Sequence, residues 1–167
     1  MKSAATNKGA SEKVIVFTVS GFRFAIAASA VSEIRNLDGL ERFSAERSHR
    51  AVAKVDHTLQ RSGVTFFVVN AARYFGLPPA KPGRVLVLQS MAVAILVDST
   101  DRIMEISALR SLPQAFNGEE RNWYRGLTIF NDEVLPVVNP SAFLTKGEFA
   151  VLRALKDMQQ AQQPAAG

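Results

Sequence analysis

Phe66-Phe67-Val68-Val69-Asn70 is nearly repeated later in the chain as Leu135-Pro136-Val137-Val138-Asn139. Each run leads directly into small residues, Ala71-Ala72 in the first case and Pro140-Ser141-Ala142 in the second. A β-branched run ending in Asn reads as a buried strand followed by a helix start. The Asn side chain accepts from the free N–H groups of the turn that follows, and Pro140 suits the first helical position because its missing N–H costs nothing there. Asn70 and Asn139 are therefore expected to be structural caps. Gly76 and Pro78 would close the first of these turns, a short helix over Ala71 to Phe75.

Working outward, Val14 to Val19, then Ser20-Gly21, then Phe22 to Ile26 predicts a β-hairpin. Ser-Gly supplies the positive φ of a tight turn, and Phe22, Phe24 and Ile26 alternate onto one face. Val85 to Gln89, Ser90-Met91 and Ala92 to Asp98 predict a second hairpin. Val31-Ser32-Glu33-Ile34 is echoed by Ile103-Met104-Glu105-Ile106. All these matched features recur in one order at an offset of about 70 residues, too long for a solenoid repeat. Two copies of one small five-strand unit, packed side by side, account for it. Ala28 to Leu37 carries Val31, Ile34 and Leu37 at helical spacing, which predicts a short helix or turn. The clearest helix runs from Lys146 to Met158, with Phe149, Leu152 and Leu155 on one stripe. Short strands at turn-marked spacing give a mainly β class built from small antiparallel barrels.

Composition sets the bounds. A chain of 167 residues with 47% apolar and 21% charged residues suits one globular domain. Residues 13–158 are expected to form it, between disordered tails at 1–12 and 159–167. The apolar runs are of strand length, too short to span a bilayer, and the polar N-terminus has no secretory pattern. Without cysteine there is no disulfide or thiolate site, which fits the cytoplasm. The net charge of +5 is spread, and the densest basic stretch, Arg42 to Arg61, is interrupted by Glu41, Glu46 and Asp56. That reads as a mixed solvated surface, so nucleic acid is disfavoured as a partner.

Candidates for catalysis are few. His49 and His57 lie in a polar segment expected to be exposed, with no carboxylate at metal-ligand spacing. No serine sits in a nucleophile-elbow pattern, and the glycines are isolated rather than clustered around a phosphate. The carboxylate pairs Asp98/Asp101, Glu119/Glu120 and Asp132/Glu133 read as solvated turn residues. No enzyme activity, cofactor, metal or small-molecule substrate is indicated.

The order of these elements resembles the CheW-like domain, the coupling module of bacterial chemosensory arrays. The resemblance rests on Phe17-x-Val19-x-Gly21-x-x-Phe24-Ala25-Ile26, Val31-x-Glu33-Ile34, Gly63-Val64 to Val69-Asn70, Ala94 to Asp98, Tyr124-x-Gly126-Leu127 and Val137-Val138-Asn139. It implies two intertwined five-stranded SH3-like barrels with short helices and a C-terminal helix. It also implies a non-catalytic adaptor serving motility or another output. The implied partners are the regulatory domain of a chemotaxis histidine kinase, the tip of a methyl-accepting chemoreceptor, and other CheW-like domains. In the family the receptor's helical hairpin enters the groove between the barrels, and the matching positions are Val31, Glu33, Ile34, Val97, Asp98 and Ile103. Ordinary core packing is the other reading of Val31 and Ile34.

The chain departs from the family at several points. The usual Gly-x-x-Asn-Leu-Arg-Gly is here His57-Thr58-Leu59-Gln60-Arg61-Ser62-Gly63, with serine in place of the arginine. Arg61 is one residue away, and a one-residue shift in a strand turns a side chain to the opposite face. Asn70 and Asn139 replace the usual aspartates, and Phe67 replaces a proline that Pro136 retains. Two alternatives stay open: a basic barrel that binds nucleic acid, and a CheW-like domain that binds another cytoplasmic protein.

Overall fold

A computed structural model describes residues 11–43, 53–116 and 118–162. Strands β1 (Glu12–Val19) and β2 (Phe22–Ala27) form the first predicted hairpin, joined through Ser20 and Gly21, both at positive φ. Strands β3 (Val31–Arg35), β4 (Leu40–Arg42), β5 (Val55–Arg61) and β6 (Val64–Asn70) follow, then helix α1 (Ala71–Phe75). The second hairpin is β7 (Arg84–Leu88) and β8 (Val93–Val97). Then come β9 (Ser99–Ile106), α2 (Glu120–Trp123), β10 (Tyr124–Phe130), β11 (Glu133–Val138) and α3 (Lys146–Gln162).

The strands make two sheets, with orders β10-β11-β2-β1-β9 and β3-β7-β8-β6-β5-β4. Each sheet takes its central hairpin from the other half of the chain. The hairpin β1–β2 sits between β9 and β11, and β7–β8 sits between β3 and β6. In both sheets the join after the hairpin is parallel, β11 with β2 and β6 with β8. The two copies are thus exchanged through their hairpins rather than laid side by side. The second sheet also has an extra edge strand, β4, beside β5. Its counterpart in the first sheet is a single bridge, Arg110 to Leu127. Gly126 is required beside that bridge, since a Cβ there would lie 2.5 Å from the Arg110 carbonyl oxygen.

Three apolar clusters follow from this exchange. Ile15, Phe17, Val19, Phe24 and Ile26 meet Leu86, Leu88, Val93, Ile95 and Val97 in a central core between the sheets. The opposite faces of the same strands fill the two barrels, with Val14, Val16 and Ala25 in one and Val85, Val87, Ala94 and Leu96 in the other. Strands buried on both faces must be apolar at every position, which is why the hairpins read as unbroken apolar runs.

The predicted caps are in place. Asn70 Oδ1 accepts from Arg73 N–H at 3.3 Å, and Gly76 ends α1 in the left-handed region. Asn139 Oδ1 accepts from Ser141 N–H at 3.2 Å at the head of a 3-10 turn, Pro140–Ala142. Helix α3 starts with a capping box: Thr145 N–H donates to Glu148 Oε1 and Glu148 N–H donates to Thr145 Oγ1. It runs four residues past the predicted end at Met158, so Gln159–Gln162 are helical. At the other end Glu12, expected in the tail, already belongs to β1 and pairs with Ile106, while residues 1–10 and 163–167 of the expected tails lie outside the described residues.

Two further expectations change. Only Ala28–Ala30 of the predicted helix over 28–37 is helical, a single 3-10 turn, while Val31–Arg35 is a strand. Its helical spacing of apolar residues is overridden by the open edge of β7, which β3 fills. The match of Glu33 with Glu105 also does not survive the register. Glu33 stands opposite Val87 and Ile34 opposite Leu86, whereas Arg102 stands opposite Val16 and Ile103 opposite Ile15. Since Ile15 and Leu86 are equivalent in the two hairpins, Ile34 is the counterpart of Ile103, and Glu33 of Arg102.

Candidate functional site

The edge strands β3 and β9 hold the candidate contact residues. Ile34 is 41% exposed and Ile103 is 61% exposed, although each lies on the sheet face that carries the central core. Their cross-strand partners Leu86 and Ile15 are buried, so each Ile extends the core's apolar surface outward at a sheet edge. The fold thus presents two equivalent apolar side chains on edge strands of different sheets. Val31 is partly buried against the central core, which gives it a packing role together with whatever surface it offers.

Glu33 is the acidic member of a small charge cluster. Arg61 Nε lies 2.9 Å from Glu33 Oε2, and Arg35 Nε lies 3.5 Å from Oε1. Ser62 occupies a positive-φ turn position and cannot act as a strand residue. Arg61 ends β5 instead and reaches across to β3, so a guanidinium does stand beside Glu33. Arg61 is itself a strand residue, paired with Val64, while the position where the family has arginine is the turn residue Ser62.

Two other predicted positions are placed inside the fold. Val97 is 1% exposed in the central core and offers no contact surface. Asp98 joins the two hairpins: its Oδ2 accepts from Ser20 N–H at 2.9 Å, and its own N–H donates to Thr18 O at 3.0 Å. A buried strand residue and a surface one are both written as Val, so the sequence could not separate them.

The residues weighed for catalysis have ordinary surroundings. His57 is half-buried in β5 rather than exposed, with Nδ1 2.7 Å from Asp56 Oδ1; His49 lies outside the described residues. Asp101 and Glu133 both approach Arg23, and Glu120 opens α2. Among the described residues no group of three or more His, Asp or Glu could hold a metal ion. No described helix is long and apolar enough to cross a membrane.

A cleft of about 770 Å³ lies between α1, α2 and the start of α3. Lys54 and Glu148 pair across it at 3.0 Å, and Lys54 also sits 5.1 Å from the centre of the Tyr74 ring. The Tyr74 hydroxyl donates to Ala142 O, and burial, with Tyr124, Glu148 and Glu119 nearby, pushes its ionisation well above the ordinary value. Lys54 and Glu148 are thus paired within the cleft, and the Tyr74 phenol holds its proton. The sequence did not single out this junction, because Lys54, Tyr74 and Glu148 converge only in the fold.

Several of the described basic residues are engaged in pairs. Arg23, Arg35, Lys54, Arg61, Arg73 and Arg125 each face a carboxylate.

Comparison with known proteins agrees with this architecture. No curated protein matches the chain. Among solved structures, the chain is similar to the crystal structure of the scaffolding protein TtCheW from Thermoanaerobacter tengcongensis. The identity is 13% and the TM-score 0.67, over 83% of this chain and 91% of that one. At that identity the likeness establishes the fold. The model of the CheW-like domain matches residues 13–148, most of the described chain, and the protein therefore belongs to the CheW-like domain family.

Proposed function

We propose that this protein is a non-catalytic adaptor of a bacterial chemosensory pathway, working in the cytoplasm. It would link chemoreceptor tips to the regulatory domain of a chemotaxis histidine kinase. The observation that supports the reading most directly is the pair of equivalent exposed isoleucines, Ile34 and Ile103, on the two edge strands. An adaptor needs apolar side chains that a helix can cover and flanking charges that choose register and partner. Ile34 has such charges beside it in Glu33, Arg35 and Arg61. Val31 would add packing surface. Val97 and Asp98 would contribute only by holding the hairpins in place. Other CheW-like domains are proposed as neighbours in the same assembly.

The test is co-purification with the regulatory domain of a histidine kinase, and with a receptor-tip fragment, both encoded in the same genome. Binding of both supports coupling. Ile34→Glu is expected to abolish tip binding while the circular dichroism spectrum stays native. If no kinase or receptor fragment from that genome binds, the coupling role is wrong and the fold assignment stands.

A further inference from the structure

The two barrels of the internal repeat are filled differently. The matched hairpins set Val14, Val16 and Ala25 of the first sheet against Val85, Val87 and Ala94 of the second. In the same way β10–β11 matches β5–β6, with Val137 standing for Val68. At the other interior positions the first barrel carries smaller residues: Thr128 for Leu59, Leu135 for Phe66 and Ala27 for Leu96. The seams differ in the opposite sense. Met104 and Phe130, between β9 and β10, stand for Arg35 and Arg61 of the second barrel. The second barrel thus has a well-filled interior and a seam closed by Glu33, Arg35 and Arg61. The first has an apolar seam over smaller interior residues.

That difference goes with a pocket of about 370 Å³ between β9 and β10, where Met104, Ile106, Ser107, Thr128, Ile129 and Phe130 meet. Its size is at the low end of small-molecule sites. Three unpaired polar groups belong to its wall. Thr128 is 5% exposed, yet among the described residues its hydroxyl has no hydrogen-bond partner. Unlike the hydroxyl of Thr58, it is not sealed from the exterior, and the pocket is its opening. Ile129 supplies the other two groups. Leu127 exchanges both backbone hydrogen bonds with Arg110, so Ile129, two residues on, turns its N–H and C=O toward the same seam. There β10 is the end strand of its sheet and has no strand beside it.

The wall also sets the charge of the ligand. Glu105 lies between Met104 and Ile106, and Arg110 lies opposite Leu127, so both occupy positions that alternate with those facing the barrel. Arg102 is on the barrel side but is held beyond the pocket, over the Phe130 ring at 5.4 Å. An ionised group in the pocket would be desolvated without a counter-ion.

We infer that this pocket binds a small neutral molecule with an apolar body and an amide-like donor and acceptor. The body lies against Met104, Ile106 and Phe130, and the polar end bonds to the Thr128 hydroxyl and the Ile129 backbone. Met104 and Ile106 alternate with Ile103 along β9 and face the barrel, so the inference does not depend on the coupling role.

NMR titration of the full chain with benzamide tests it. Benzamide is expected to bind saturably and to shift the amides of Met104, Ile106, Thr128 and Ile129. Toluene, which lacks the polar end, and benzoate, which adds a charge, are each expected to bind at least fivefold more weakly. Thr128→Leu restores the residue of the matched position and should abolish benzamide binding. Should that variant misfold, Thr128→Val keeps the shape without the hydroxyl, and should weaken benzamide at least fivefold while leaving toluene unchanged. Absence of saturable benzamide binding overturns the inference. Equal affinities for benzamide and either control, shifts centred outside the β9–β10 seam, or unchanged benzamide affinity in Thr128→Val also overturn it.

Discussion

Thr58 is fully buried in β5, and its hydroxyl has no hydrogen-bond partner. A buried hydroxyl without a partner costs free energy that an isosteric methyl does not. Thr58→Val is therefore expected to stabilise the protein by about 1 kcal/mol, read as a higher urea midpoint at unchanged slope. A lower midpoint would mean that the hydroxyl is bonded in solution. Tyr74 shows the opposite case, a buried hydroxyl that is satisfied, donating to Ala142 O at 3.1 Å. Burial raises its ionisation above that of an unfolded tyrosine, so the folded state holds the proton more tightly. The stability this contributes is intact below about pH 10 and is lost as pH rises beyond it through the folded value. Tyr74→Phe should flatten the alkaline fall in stability while costing roughly 1 kcal/mol at neutral pH for the lost hydrogen bond. An alkaline slope identical to wild type would assign the effect to another group, with Tyr124, also raised by burial and then by Glu120, the first alternative.

At the scale of elements, what was legible in the sequence depended on how many faces each element buries. The hairpins β1–β2 and β7–β8 are buried on both faces and stand out as apolar runs. The five-residue strand β3 has one half-exposed edge and carries Ser32, Glu33 and Arg35, so its pattern could be taken for a helix. Ile34 was legible through its motif, but its pairing with Ile103 needed the register. Arg61's reach to Glu33 joins β5 to β3, a contact that motif spacing does not encode. Helix α3 was legible from its stripe, and its start depends on the Thr145–Glu148 capping box. Thr145→Ala removes one arm of that box and should cost about 1 kcal/mol. Leu152→Ala empties a fully buried site beneath the same helix and should cost roughly 2–5 kcal/mol by chemical denaturation. If Leu152→Ala were as mild as Thr145→Ala, α3 would be loosely docked on the central core.

The exchange of hairpins makes a claim about the whole molecule. Repeated sequence ordinarily suggests two units that could each stand alone, and the echo of "VVN" at Asn70 and Asn139 invites that view. The sheet orders contradict it, since β1–β2 completes the sheet of β9, β10 and β11 while β7–β8 completes that of β3 to β6. Cutting between α1 and β7 leaves each fragment with a hairpin and the remainder of the opposite sheet, joined by no sheet of its own. The central core, built from both hairpins, would be split along its middle. Fragments 1–82 and 83–167 are therefore expected to be unfolded alone by circular dichroism, with no cooperative melting. Mixed at equal concentration, they should recover native spectra and a single transition whose midpoint rises with concentration, because association and folding become one step. The intact chain should unfold in one transition seen alike by Trp123 fluorescence and by far-ultraviolet dichroism. Cooperative melting of either fragment alone would refute the single-domain reading and would restore two units packed side by side. The proposed coupling role would gain from the exchanged arrangement, because Ile34 and Ile103 sit on different sheets but are braced by the same central core. Force or strain at one edge strand is then borne by packing shared with the other, which two freely hinged barrels would not provide.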